Sequence, residues 1–137
     1  MQLTPLIAVH MTAALLVVVT GPVALWARKG RIQRPRLHRA FGYAWVTLMV
    51  VTAGTAMFIR DFDLPNIAGF TPIHLLVGLT ALSLFGAFRA LAQGDIGKHR
   101  RYMQRLYIAA CIVAGLFTLL PQRYLGGLIW GRWLGLL

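Results

Sequence analysis

Glutamate is missing from this chain, and the acidic side is limited to Asp61, Asp63 and Asp95. No glutamate can therefore act as a buried proton carrier or general base. Ser83 is the only serine. It lies inside a long apolar run with no His or Asp close in sequence, so a serine-nucleophile site has no support. Cys111 is the only cysteine, which excludes an internal disulfide and any cysteine-based metal site. There is no glycine-rich phosphate loop. These gaps disfavour an enzyme acting on soluble substrates.

What remains is strongly apolar. The 137 residues are 58% hydrophobic and only 12% charged, with a mean hydropathy of +0.69. Most globular proteins carry about 25% charged residues, so the composition implies one membrane domain. Fourteen Lys and Arg give a formal net charge of +11. A basic excess can signal nucleic acid, but here the bases sit in short loops between apolar runs. They read as topology signals and contacts for anionic lipid headgroups, with no nucleic-acid partner.

A spanning helix needs about 20 mainly apolar residues. Four candidate runs are present, at about Leu6–Trp26, Phe41–Ile59, Ile73–Phe88 (with a softer end near Ala92) and Leu106–Leu120. Met1–Pro5 carries no positive charge, so a retained first span is expected in place of a cleaved leader. Pro22 should kink or end the first helix. Thr71-Pro72 is a start signal for the third, with Thr as cap and Pro at the first helical position. The loops after the first and third runs are rich in Arg and Lys, whereas the loop from Arg60 to Pro72 holds one Arg and two Asp. The positive-inside rule then puts the basic loops in the cytoplasm and both termini outside. The expected fold is an all-α, integral-membrane four-helix bundle in a bacterial inner membrane. Residues 1–123 form the transmembrane domain. Residues 124–137, with Trp130, Trp133 and Arg132, form a short interfacial tail able to dock a larger complex or a second copy.

The runs repeat. His38-Arg39 aligns with His99-Arg100, and Ala53-Gly54 with Ala114-Gly115 at the same distance beyond. Ala14 follows His10, and Gly78 follows His74, by the same step. Residues of about 6–59 and 70–121 thus read as a duplicated helical hairpin, expected to pack as a parallel repeat. In that topology His10 and His74 lie near the outer face, and His38 and His99 near the inner face. At about 1.5 Å rise per residue, Gly54 and Gly115 come level with the outer pair, and Gly21 and Gly86 nearer the inner one.

A polar ring at the mouth of an apolar helix needs a partner. Imidazole is a standard axial ligand for haem iron, so one or two haems b held by histidine pairs are the leading expectation. Their irons would be held by His10 and His74 outside and by His38 and His99 inside. Gly54, Gly115, Gly21 and Gly86 would give the porphyrin clearance. Arg36, Arg39, Arg100 and Arg101 would pair inner propionates, and Arg60 and Arg123 outer ones. Tyr102, Tyr107, Trp45 and Phe85 are candidates to pack on the macrocycle. The function would be electron transfer, with quinone a possible exchange partner. A second reading is a cofactor-free accessory or assembly subunit of a respiratory or photosynthetic complex. A third is a metal or small-solute carrier, in which His10, His74, Asp61 and Asp63 converge on a non-haem metal.

The segments Gly69-Phe-Thr-Pro-Ile-His74, Lys98-His-Arg-Arg-Tyr-Met103 and Ala114-Gly-Leu-Phe with the later Leu-Pro-Gln-Arg123 resemble a bacterial family of four-span membrane proteins, domain of unknown function 2306. The resemblance covers about Ile7 to Arg123. It implies the fold and supplies no chemistry. The histidine layout also looks like that of dihaem transmembrane cytochromes of the b561 kind, which have more spans and deeper inner histidines.

Overall fold

The computed structural model describes residues 3–60, 62 and 65–136, and within these the chain is all-α. The first helix, α1, covers Pro5–Trp26. Thr4 caps it, its hydroxyl accepting from the Ile7 N–H, and Pro5 takes the first-turn position where no donor is needed. Of the two outcomes expected at Pro22, a kink or an end, the helix does not end there but continues to Trp26. The proline still removes one donor, the one that would serve the Val18 carbonyl. The Tyr107 hydroxyl fills that place, donating to Val18 O at 3.1 Å.

Helix α2 covers Pro35–Ala56. Thr71 caps the next helical run as its sequence predicts, and a single 3₁₀ turn at Pro72–His74 leads into α3, Leu75–Ala92. Gly94, at φ +74°, then turns the chain in a conformation that L side chains rarely adopt. Asp95 starts α4, Ile96–Tyr107, with its carboxylate accepting from the Lys98 N–H at 2.9 Å. The fourth helical run therefore begins ten residues before the apolar stretch at Leu106, because the basic segment is itself helical. It widens into a π-helical segment at Ile108–Val113 and returns to α-helix as α5, Ala114–Thr118. The tail forms α6, Tyr124–Gly127, followed by a π-helical turn through Trp133.

Helix α1 packs along α2, and α3 along α4. The core joining these hairpins is small: Val17, Trp45, Met49, Leu84 and Leu106. Large apolar side chains point outward all along the helices, among them Val19 (65% exposed), Leu82 (72%), Phe85 (68%) and Leu116 (65%). Two helical runs, Pro5–Trp26 and Pro72–Ala92, are long and apolar enough to cross a membrane, with mean hydropathies of 2.1 and 1.8. The basic loops meet at one end, where the Arg100 guanidinium donates to the Arg28 carbonyl.

Candidate functional site

Each histidine places Nδ1 against a backbone carbonyl oxygen. His10 reaches Thr52 O at 3.0 Å, His38 reaches Ala24 O at 2.8 Å, His99 reaches Ala87 O at 3.0 Å, and His74 reaches Thr71 O at 3.1 Å. A carbonyl oxygen only accepts, so for His10, His38 and His99 the proton sits on Nδ1 and the lone pair on Nε2. His10 is held further by Thr55, whose Oγ1 lies 3.0 Å from Nδ1. The Thr55 hydroxyl spends its own proton on Val51 O at 2.7 Å, so its oxygen also accepts from the ring.

His74 is arranged differently. Its Nε2 lies 3.0 Å from Ile59 O and its Nδ1 accepts the Thr71 N–H at 3.1 Å. In this tautomer Nε2 carries the proton, and both ring nitrogens are occupied. The ring ties the end of the second apolar run to the start of the third. The inner histidines make matching contacts in the two hairpins: each bonds back from the early part of one helix to the helix before it.

The outer pair share a space. His10 and His74 both line one half-open cavity of about 280 Å³, bordered by residues from all four apolar runs and from the tail. Its walls are mainly aliphatic, with Thr52, Thr80, Cys111 and Arg123 among the scattered polar groups. Gly115 also lines it and has open space where a side chain would stand. Ala110, Cys111, Ala114 and Gly115 reach this wall at and just after the π-helical segment. Such widened turns are frequent at functional sites.

The other residues singled out in the sequence fall elsewhere. At Gly21 the space is filled by the rings of Tyr107 and Trp45, and at Gly86 by the ring of Tyr102. The clearance expected beside the inner pair is thus taken by the chain's own aromatics. Trp45 and Tyr107 pack on each other, ring centroids 6.5 Å apart, and Phe85 faces outward. Gly54 has open space but does not line the cavity. Arg36, Arg39 and Arg101 are exposed, and Arg100 is bound to the Arg28 carbonyl. Arg60 lies over the Phe70 ring at 3.5 Å and donates to Ala68 O. Asp61 and Asp63 lie outside the described residues. Among the described residues no group of three or more His, Cys, Asp or Glu is placed to hold a metal ion.

Sequence reasoning missed Thr52 and Thr55, the partners of His10, and found Thr71 as a helix cap but not as the partner of His74. The signal was present: threonines recur on the very runs that face the histidines, in a chain with one serine.

The chain matches the family described as predicted membrane protein (DUF2306) over residues 7–129. It belongs to that family. The match takes in all four histidines, the cavity walls and Arg123. No curated protein and no solved structure matches the chain significantly.

Proposed function

We propose that this DUF2306 member is a four-span inner-membrane protein with both termini outside, and that it binds haem b in the outer cavity to carry electrons. The outward-facing apolar side chains on the long helices support the membrane placement, since such a surface is stable against lipid and costly in water. The observation that carries the redox reading is that His10 and His74 line one cavity, with His10 anchored through Nδ1 on the Thr52 carbonyl. A ligating histidine characteristically gives its other ring N–H to a carbonyl or carboxylate, which fixes the tautomer and raises ligand basicity. His10 already has that state, with Nε2 left as the donor atom. His74 needs a proton exchange and a turn of the ring. With the proton moved from Nε2 to Nδ1, the ring could donate to Thr71 O at 3.1 Å, but the Thr71 N–H and Ile59 O would both lose their partner, so the ring must also turn away from Ile59 before Nε2 can ligate.

The outer pair is favoured over the inner one. His10, His74, Gly115 and Arg123 line the same cavity, whereas tyrosine rings fill Gly21 and Gly86. The proposal is therefore one haem per chain, with His38 and His99 as ties between helices. The cavity's volume is near the lower end of ligand pockets, about 300–1,000 Å³, so loading requires the walls to part. Haem bound there supplies a one-electron iron couple. A quinone dissolved in the bilayer is the partner class that matches a redox centre inside the membrane.

A cofactor-free accessory subunit is the second reading. It is favoured by one observation, the full occupation of both His74 nitrogens.

Visible spectra of protein purified in detergent, oxidised and dithionite-reduced, separate the two. The expected result is a porphyrin spectrum at one haem per chain. It is lost in His10→Ala and kept in His38→Ala. Colourless protein that also takes up no added haemin would overturn the redox reading.

A further inference from the structure

One threonine in the cavity wall breaks the habit of the others. A threonine inside a helix commonly bonds back to the carbonyl four residues earlier. Thr20 does so to Leu16 O, Thr47 to Tyr43 O, Thr52 to Leu48 O and Thr55 to Val51 O, at 2.7 to 2.9 Å. Thr80, within α3, does not. It is 5% exposed and lines the cavity, and its hydroxyl bonds to none of the described residues. Unlike the Trp45 indole N–H, that hydroxyl is not sealed inside protein. A buried hydroxyl without a partner is costly, so the site favours a partner brought in from outside the chain. The neighbouring threonines of the wall are spent. Thr52 and Thr118 donate to carbonyls of their own helical runs, and Thr71 faces the His74 ring.

His10 supplies a second polar point. Its Nδ1–H is taken by Thr52 O and Thr55 Oγ1, so Nε2 offers only a lone pair, and none of the described residues donates to it. One group on the wall can thus give or accept a hydrogen bond, and the other can only accept. Around them the wall is aliphatic, with Val17, Met49, Leu76 and Val77 among its members. A half-open space of about 280 Å³ takes one substituted ring as it stands, whereas a porphyrin needs the walls to part.

We infer that the haem-free cavity seats the ring of a quinol, its apolar tail leaving through the open side. A quinol hydroxyl donates to His10 Nε2, and a quinol oxygen pairs with the Thr80 hydroxyl. The oxidised quinone has carbonyl oxygens only. It can accept from Thr80 but leaves His10 Nε2 without a donor, so the site prefers the reduced form. This goes beyond the haem reading, in which the quinone is a partner in the bilayer. Haem takes the same nitrogen of His10, so the two ligands exclude each other.

Equilibrium titration of the haem-free, full-length protein in detergent under anaerobic conditions tests this. The probes are a short-chain benzoquinol, the matching benzoquinone and the dimethyl ether of the quinol. Wild type is expected to bind the quinol about tenfold more tightly than either the quinone or the ether, which lack the O–H donor. Thr80→Val keeps the shape and removes the hydroxyl; it should weaken quinol and quinone alike by about tenfold, and Thr80→Ser should restore both. His10→Ala should abolish the preference for the quinol. Haemin, where it binds, should displace the quinol. Equal binding of quinol and ether, or no binding of the quinol, would overturn the inference, and this comparison needs no substitution. Unchanged quinol affinity in a folded Thr80→Val would overturn it too. Each of these results leaves the haem reading standing. Protein that takes up no haemin but binds the quinol with this dependence would overturn the haem reading alone.

Discussion

The four histidines of this apolar chain form two pairs in sequence, and their surroundings divide them further. His38 and His99 are helix ties, His10 holds a free Nε2, and His74 is bonded at both nitrogens. Their positions at the mouths of the apolar runs were legible because a polar ring stands out there. Their partners were not, because a backbone carbonyl carries no residue signature. The glycines show the same limit. Gly21, Gly86 and Gly115 have the same pattern in sequence, yet two are filled by tyrosines from another helix and one opens on the cavity. Gly21→Ala should therefore displace the Tyr107 ring and destabilise by about 1–3 kcal/mol. Gly54→Ala, which meets nothing, should be close to neutral. Thermal unfolding in detergent compares the two. Tyr107→Phe leaves the Val18 carbonyl without its donor and should cost about 1 kcal/mol in the same assay.

At the level of elements, the apolar runs were visible and their ends were less so. The start of the third helical run at Thr71-Pro72 was correct because the signal is local. The start of α4 was missed because charged residues obscured a helix that needs only a cap and good propensity. Asp95 is that cap. The Lys98 backbone N–H, and then its ammonium, hold the Asp95 carboxyl below its ordinary value of 3.8. A carboxyl whose folded value is depressed contributes stability above its unfolded value, and that contribution is lost as pH falls through the folded value. Amide exchange at Lys98 and His99 should thus accelerate, relative to the chemical rate, below about pH 4. Asp95→Asn should remove that pH dependence. At the tail, Gly126→Val should detach α6 from the end of α5, read as new protease cleavage after Arg123 or Arg132.

For the whole molecule, composition and loop charge carried the membrane reading, and the family match agrees with it. Two runs meet the length and apolarity of a span by themselves; the other two are weighted by charge at their starts. The proposed orientation predicts that a phosphatase active only outside the cytoplasm works when fused at Leu137 and fails when fused at Gly30 or Gly94. The opposite pattern would invert the topology. How the hairpins close on one another was not legible, since it depends on a few contacts such as Arg100 with Arg28.

The proline in the first helix has a longer reach. Because Pro22 leaves the Val18 carbonyl unserved, a hydroxyl eighty-nine positions along from that carbonyl stands in for the missing donor. The two residues are then mutually conditional: with alanine at position 22 the helix satisfies itself, and phenylalanine at position 107 becomes harmless. A lineage can shed the tyrosine cheaply only after it has shed the proline, so descendants keeping proline with phenylalanine should be rare.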